Sequence, residues 1–431
     1  MKDSVTKVQA EPSLTTIGIV LVLGAIVPML DTTMTNVGIN TILKDLDSTV
    51  NVMQWVTTAY VLALGLAVPL AGWLLDQVSG KLLQEIALAM RAAHGQNLGK
   101  LMAVVGLPIV FAPILGPTIG GALIKYLNWH WLFYVNIPVV VIAITVTALI
   151  LPAFAPIKKG RRFDVLGFIL ITGLFSGIVI GITNYSTDNV FGKLSVLLPI
   201  FVGIDCLMAY IIYGTRHPQR ALVPLKLFSS AHFSAATGLL FLSGLMVNGV
   251  MFIMPLYLQN IRHLSVIWVG IYLIAQGAGM LATRSLTGTL TDKYGARWIV
   301  ALSMLGAAIT TIPCIFFTAA TPKWVVLLVL FLMGLTRSGI TIPVMSDAYT
   351  GLDQKLIPEA TVATRMAQNI GGSVATAILA SVVQSLVGSN VASTATMTNA
   401  YQMAFLWTSI GTVFGVIPAL FLTNRIGKKA A

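Results

Sequence analysis

The chain has 431 residues, of which 57% are hydrophobic and only 9% charged, with a mean hydropathy of +0.89. A water-soluble fold carries about 25% charged residues, and a disordered chain is low in hydrophobic residues, so both classes are excluded. The net charge of +12 is scattered through short segments between apolar runs, with no basic stripe interleaved with aromatics, which excludes a nucleic-acid partner.

Uninterrupted apolar runs of about 18 residues or more mark membrane helices, and such runs recur from end to end. They read as twelve spans, near residues 16–38, 52–75, 101–124, 132–153, 164–184, 194–215, 232–258, 264–290, 298–318, 324–346, 362–387 and 401–424. Helices are expected because a lipid-exposed backbone must satisfy its own hydrogen bonds, and the runs are too long and evenly apolar for barrel strands. The first run, preceded by Lys2 and Lys7, is too long for a cleavable signal and reads as a retained span. Cys206 and Cys314 each fall inside a span, where they build neither a disulfide framework nor a metal site. The predicted fold is therefore an all-α polytopic membrane protein.

Lys and Arg set the orientation. With a cytoplasmic N-terminus, only Lys44, Lys125, Lys193, Arg262 and Lys323 fall outside, and Arg284, Arg337 and Arg365 fall within or at the edge of spans. The densest cluster, Lys158, Lys159, Arg161 and Arg162, precedes the fifth span. The positive-inside rule then predicts that both termini are cytoplasmic.

An internal repeat is visible. Gly72-Trp73-Leu74-Leu75-Asp76 ends the second span, and the run from Gly288 through Asp292, Lys293 and Gly295 to Arg297 ends the eighth. Parallel halves of this kind are a transporter signature. Two full spans separate Asp292 from Gly371-Gly372, but none separates Asp76 from Gly120-Gly121. Residues 77–100 contain Lys81, Glu85, Arg91, His94 and Lys100 and cannot hold a clean span of about 20 apolar residues. The first half is short.

Several segments carry a resemblance to a known family. They include Leu30-Asp31-Thr32-Thr33-Met34-Thr35-Asn36-Val37, Gln54-Trp55-Val56-Thr57-Thr58-Ala59-Tyr60 and Gly116-Pro117-Thr118-Ile119-Gly120-Gly121. Trp129-His130-Trp131-Leu132-Phe133-Tyr134-Val135-Asn136-Ile137-Pro138, Pro255-Leu256-Tyr257-Leu258-Gln259 and Gly371-Gly372-Ser373 follow. In this order they resemble the drug:proton antiporters of the major facilitator superfamily, in the fourteen-span EmrB/QacA branch, with the LmrB-like lincomycin-resistance exporters as the nearest subgroup.

The resemblance implies an N-terminal helical bundle (14–153), a linking helix pair (164–215) and a C-terminal bundle (232–424). It implies proton-coupled export of lipophilic or amphiphilic small molecules across a bacterial cytoplasmic membrane by alternating access, with protons and the bilayer as partners and no cofactor. Matched span by span, this chain lacks the third and most of the fourth. The fourth normally bears a cavity arginine followed by a Gln-Gly pattern, of which Lys81-Leu82-Leu83-Gln84 resembles only the start; Gln77 and Gly80 stand where basic residues are usual. The expectation is weak transport or none. A nutrient-uptake permease and a non-transporting remnant are the alternatives.

Asp31 is the leading candidate residue. A charge at that depth costs several kcal/mol unless it faces a polar cavity or is protonated, and Thr35 and Asn36 extend a polar stripe on the same helix. A proton and a cation compete for such a carboxyl, as exchange of a drug for a proton requires; the alternative is a neutral, hydrogen-bonded structural aspartate. The resemblance assigns the inward/outward switch to the loop residues Gly72, Asp76, Gly288, Asp292, Lys293, Gly295 and Arg297, against plain helix termination with Gly295 as a turn. It also marks Gly116, Pro117, Gly120 and Gly121, with Pro108 and Pro113 upstream, as the exporter motif that seals the central cavity, against ordinary small-residue packing.

Arg337, deep in the tenth span, reads either as a receptor for an anionic group or as the partner of an acid. Arg284 is placed to snorkel, and Arg365 matches a family arginine ahead of the glycine pair. Asp205, mid-way along the sixth span, is expected to be protonated or paired. Gly95-Gln96-Asn97-Leu98-Gly99-Lys100 lacks the Ser or Thr of a phosphate loop. No nucleotide, metal or nucleophile motif is present, so the chain does not read as an enzyme and its energy source would be an ion gradient.

Overall fold

The computed structural model describes residues 107–150, 163–188, 192–349 apart from 219, then 352, 356–387 and 393–422, with scattered positions between 30 and 47 and between 59 and 70. Among the described residues every regular element is helical, and eight helices are long and apolar enough to cross a membrane. The first span is helical at its described positions from Leu30 to Asp45, and the second at those between Ala59 and Leu70. There follow α1 (Leu107–Tyr126), the single turn α2 (Trp131–Tyr134), α3 (Asn136–Ile150), α4 (Val165–Asp188) and α5 (Leu194–Arg216). The second half comprises α6 (Ala231–Asn260), α7 (Val266–Tyr294), α8 (Ala296–Thr311), α9 (Lys323–Ala348), α10 (Ile357–Val387), α11 (Thr394–Phe414) and the single turn α12 (Val416–Ala419).

Most boundaries lie within a few residues of the predicted ones, and the larger differences have local causes. Helix α10 begins at Ile357, ahead of the predicted 362, because Pro358 and Glu359 occupy its first turn. Proline lacks an N–H that the first turn leaves unused, and an acid there faces the positive end of the helix dipole. Helix α11 begins at Thr394 rather than 401, where Ser393 Oγ caps it by accepting from Thr396 N at 3.2 Å. Its polar first turns carry no hydropathy signal.

The outer surface is apolar, with Leu198, Phe201, Ile212, Leu302, Ile309 and Phe421 among the exposed large side chains. Lipid tails are as apolar as leucine, so helices in a membrane associate through close packing of small residues. At the α7–α9 crossing Gly279 meets Gly334, where an added Cβ would stand 3.1 Å from the other glycine's Cα. At the α4–α5 crossing a Cβ at Gly177 would stand 2.9 Å from Gly203 Cα. Gly371, one of the predicted glycine pair, lies against the backbone of Phe241 on α6.

The α4–α5 pair packs on α10, with Ser381 Oγ reaching Ile182 O at 3.5 Å. Asp164 closes one end of the pair. Its carboxylate accepts from Gly167 N (2.8 Å), Tyr213 OH (2.7 Å) and Leu222 N (2.8 Å), capping α4 and tying down the chain that leads to α6. Asp205 is exposed on α5.

Candidate functional site: a buried carboxylate in the first span

Asp31 is 5% exposed. Asn136 Nδ2 donates to its Oδ1, and the Tyr60 side chain hydrogen-bonds to the same carboxyl. Both partners are neutral. Asn136 opens α3, one residue after the single turn α2, and its side chain also reaches back to Leu132 O at 3.4 Å. One turn beyond Asp31, Thr35 is 2% exposed and its Oγ1 has no hydrogen-bond partner among the described residues. Asn36, predicted to share this stripe, lies outside the described residues.

The glycines of the Gly116–Gly121 segment set how closely α1 approaches. A Cβ at Gly116 would meet Thr33 Oγ1 and lie 3.3 Å from Leu30 O, and one at Gly120 would lie 3.1 Å from Met34 Cα. These two positions, one turn apart, bring α1 against the first span at the level of Asp31. The adjacent face of α1 meets α7: a Cβ at Gly121 would lie 3.2 Å from Ile267 Cα, and one at Gly270 would lie 3.0 Å from Pro117 O. The motif is thus wedged between the two halves.

Beyond it, a polar chain joins the halves directly. Asn40 Nδ2 donates to Asn260 Oδ1 at 2.8 Å, Asn260 Nδ2 donates to Tyr401 OH at 2.7 Å, and Gln259 Nε2 donates to Val37 O at 3.1 Å. At the same end Trp129 Nε1 donates to Asp45 Oδ2 at 2.6 Å.

The loop residues of the repeat are seen in part. Gly72 and Asp76 lie outside the described residues. Gly295 separates α7 from α8 with φ 82°, the left-handed region open to glycine. Arg297 Nε donates to Leu422 O at 2.9 Å, Lys293 extends over the Tyr294 ring, and Gly288 has open space around it. Asp292 is within α7. Arg337 is buried in the second half, with Nη1 unpartnered among the described residues and the Cys314 thiol as its electrostatic neighbour. It does not bond to Asp31.

Sequence reasoning did not single out Tyr60, Asn136, Asn40, Asn260 or Tyr401. Tyr60, Asn136 and Gln259 lie inside the segments that carry the resemblance, and Asn260 adjoins one. A polar residue within those segments was the available signal, but no spacing linked it to Asp31.

The family model of the Major Facilitator Superfamily matches residues 85–376. The chain belongs to that superfamily. Its similar relatives within the superfamily include the multidrug resistance protein B homolog of Mycobacterium tuberculosis, 26% identical over 84% of this chain and 74% of the relative. The lincomycin resistance protein LmrB of Bacillus subtilis is 27% identical over 97% of this chain and 98% of its own. That alignment runs to 474 positions, more than this chain possesses, so LmrB carries residues without counterparts here. Among solved structures, a POT family transporter in complex with a thioalcohol-conjugated peptide shares the fold with a TM-score of 0.61 at 11% identity, over 93% of this chain and 95% of its own. A bacterial homologue of the human lysosomal transporter Spinster, inward-facing and unoccupied, gives 0.53 at 9% identity, over 96% and 97%. This major-facilitator chain is a multi-pass membrane transporter rather than an enzyme.

Proposed function

We propose that the chain exports amphiphilic, cationic drugs in exchange for protons, with Asp31 binding the two in turn. The observation that carries this reading is a carboxyl buried in a membrane span whose bonded partners among the described residues, Asn136 and Tyr60, are both neutral, beside a Thr35 hydroxyl with no partner among those residues. An arginine or lysine at that distance would neutralise the carboxylate permanently. An amide and a phenol leave its charge available to an incoming cation or proton. The names of the relatives, multidrug and lincomycin resistance proteins, agree with a drug substrate.

The halves 14–153 and 232–424 act as the two moving bundles and 164–215 as the linker. With both termini cytoplasmic, the Asn40–Asn260–Tyr401 chain lies at the outer face, which is then the closed one. The loop residues Gly72, Asp76, Gly288, Asp292, Lys293, Gly295 and Arg297 serve the switch at the inner face. The shortage of chain after Asp76 removes cavity wall, so transport is slow. A non-transporting chain is the second reading, and the excess length of the LmrB alignment favours it.

Ethidium efflux from energised cells, with and without an uncoupler, tests both. Slow efflux that stops with the uncoupler and with Asp31→Asn is the expected result. Efflux unaffected by Asp31→Asn refutes the role of that carboxyl, and efflux equal to that of empty cells in every condition selects the second reading.

A further inference from the structure

The segment Trp129–Pro138 is one of those that carry the family resemblance. In the structure its two ends grip two acids of one helix. Trp129 Nε1 donates to Asp45 Oδ2 at 2.6 Å, and Asn136 Nδ2 donates to Asp31 Oδ1. At the α-helical rise those acids are about 21 Å apart along the first span. Between them the fully buried Leu132 fills the space that a side chain at Gly38 would need. Trp129 is itself fixed by stacking on His130, with ring centroids 3.7 Å apart, and by an edge contact with Phe133. The segment is a brace laid along the first span, and its far end presents the Asn136 amide to the buried carboxyl.

We propose that Asn136 and Tyr60 are positioning residues for Asp31. The proposal rests on the reading of Asp31 as an exchange site and deepens it. Asn136 offers a donor N–H and an acceptor oxygen, and the phenol of Tyr60 likewise donates and accepts. The ionised carboxyl needs donors, and the protonated one needs an acceptor for its O–H. This pair serves both states without a charge of its own. The carboxyl thus keeps one orientation while its proton comes and goes, and a cation arriving from the cavity meets it already aligned.

The test is acid-minus-alkaline infrared difference spectroscopy on the full chain in lipid, with the Asp31 carboxyl band assigned by its loss in Asp31→Asn. In Asn136→Leu the band moves to higher wavenumber, and binding of tetraphenylphosphonium weakens about tenfold, the equivalent of one charge-assisted hydrogen bond. The near-isosteric Tyr60→Phe moves the band in the same direction, and Asn136→Gln restores it. Trp129→Phe, which leaves both bonds to Asp31 in place, leaves the band where it was. An unmoved band in both Asn136→Leu and Tyr60→Phe overturns the proposal. So does the absence of any band assignable to Asp31, or an equal shift in Trp129→Phe, which would indicate general loosening. A shifted band together with ethidium efflux indifferent to Asp31→Asn leaves the positioning role standing and removes the exchange reading alone.

Discussion

Replacing Asn260 by alanine tests whether the polar chain at one end of the molecule is a seal. Asn260 bonds Asn40 and Tyr401 at 2.8 and 2.7 Å, joining the first span to α6 and α11. Each neutral hydrogen bond contributes about 0.5–1.5 kcal/mol net. The loss of two, with the buried Tyr401 hydroxyl left unpaired, amounts to about 2–3 kcal/mol. If these bonds exist only while the halves are together, the whole of that amount acts on the equilibrium between closed and open states. At 1.4 kcal/mol per factor of ten, the open population rises about 30- to 100-fold. Val37 reports on it, being fully buried at this junction and near-isosteric with cysteine. In a Cys206→Ser background with Val37→Cys, Asn260→Ala should speed labelling by a membrane-impermeant maleimide by one to two orders of magnitude. Cys314, fully buried, stays silent. A lowered Tm with an unchanged labelling rate would refute the reasoning, because the bonds would then stabilise both states alike.

Other outcomes follow from packing and burial. Gly334→Val should lower Tm in detergent, since its Cβ meets the carbonyl of Gln276 and overpacking a tight crossing costs about 1–3 kcal/mol; an unchanged Tm would mean the helices separate freely. Asp205→Leu should raise Tm and leave ethidium efflux untouched, because an exposed acid mid-way along a span costs about 2.5–3.5 kcal/mol. Loss of transport in that variant would assign the carboxyl a role that its position on α5 does not suggest. Asp164→Ala should increase hydrogen exchange at Leu222 and Gly167, whose N–H groups it binds, by about tenfold or more; unchanged exchange there would mean the loop is held by Tyr210 through Val223 alone.

Much of the fold was legible because a bilayer restricts it. Long apolar runs near Val165, Leu194 and Lys323 have helix as their one open choice, and their lengths follow from membrane thickness. Boundaries drifted where capping chemistry rather than hydropathy decided them, as at Ser393 and at Pro358 with Glu359. Asp31 was equally legible, since an acid in hydrocarbon is conspicuous whatever surrounds it. Its partners were not. Asn136 lies 105 positions away and Tyr60 on a different helix, and neither is unusual in its own segment.

The amino-acid order alone determined that this chain lies in a membrane as helices and that an acid such as Asp31 is costly there, because both are statements about transfer from water to hydrocarbon, made residue by residue. Which neutral groups meet that carboxyl, which glycines let α1 wedge against the first span and α7, and that Asn40 finds Asn260 and then Tyr401 were decided only by tertiary structure. Small-residue packing carries no directional signal along the chain, and a hydrogen bond between two helices depends on their depth and rotation, which arise only once the helices are in contact.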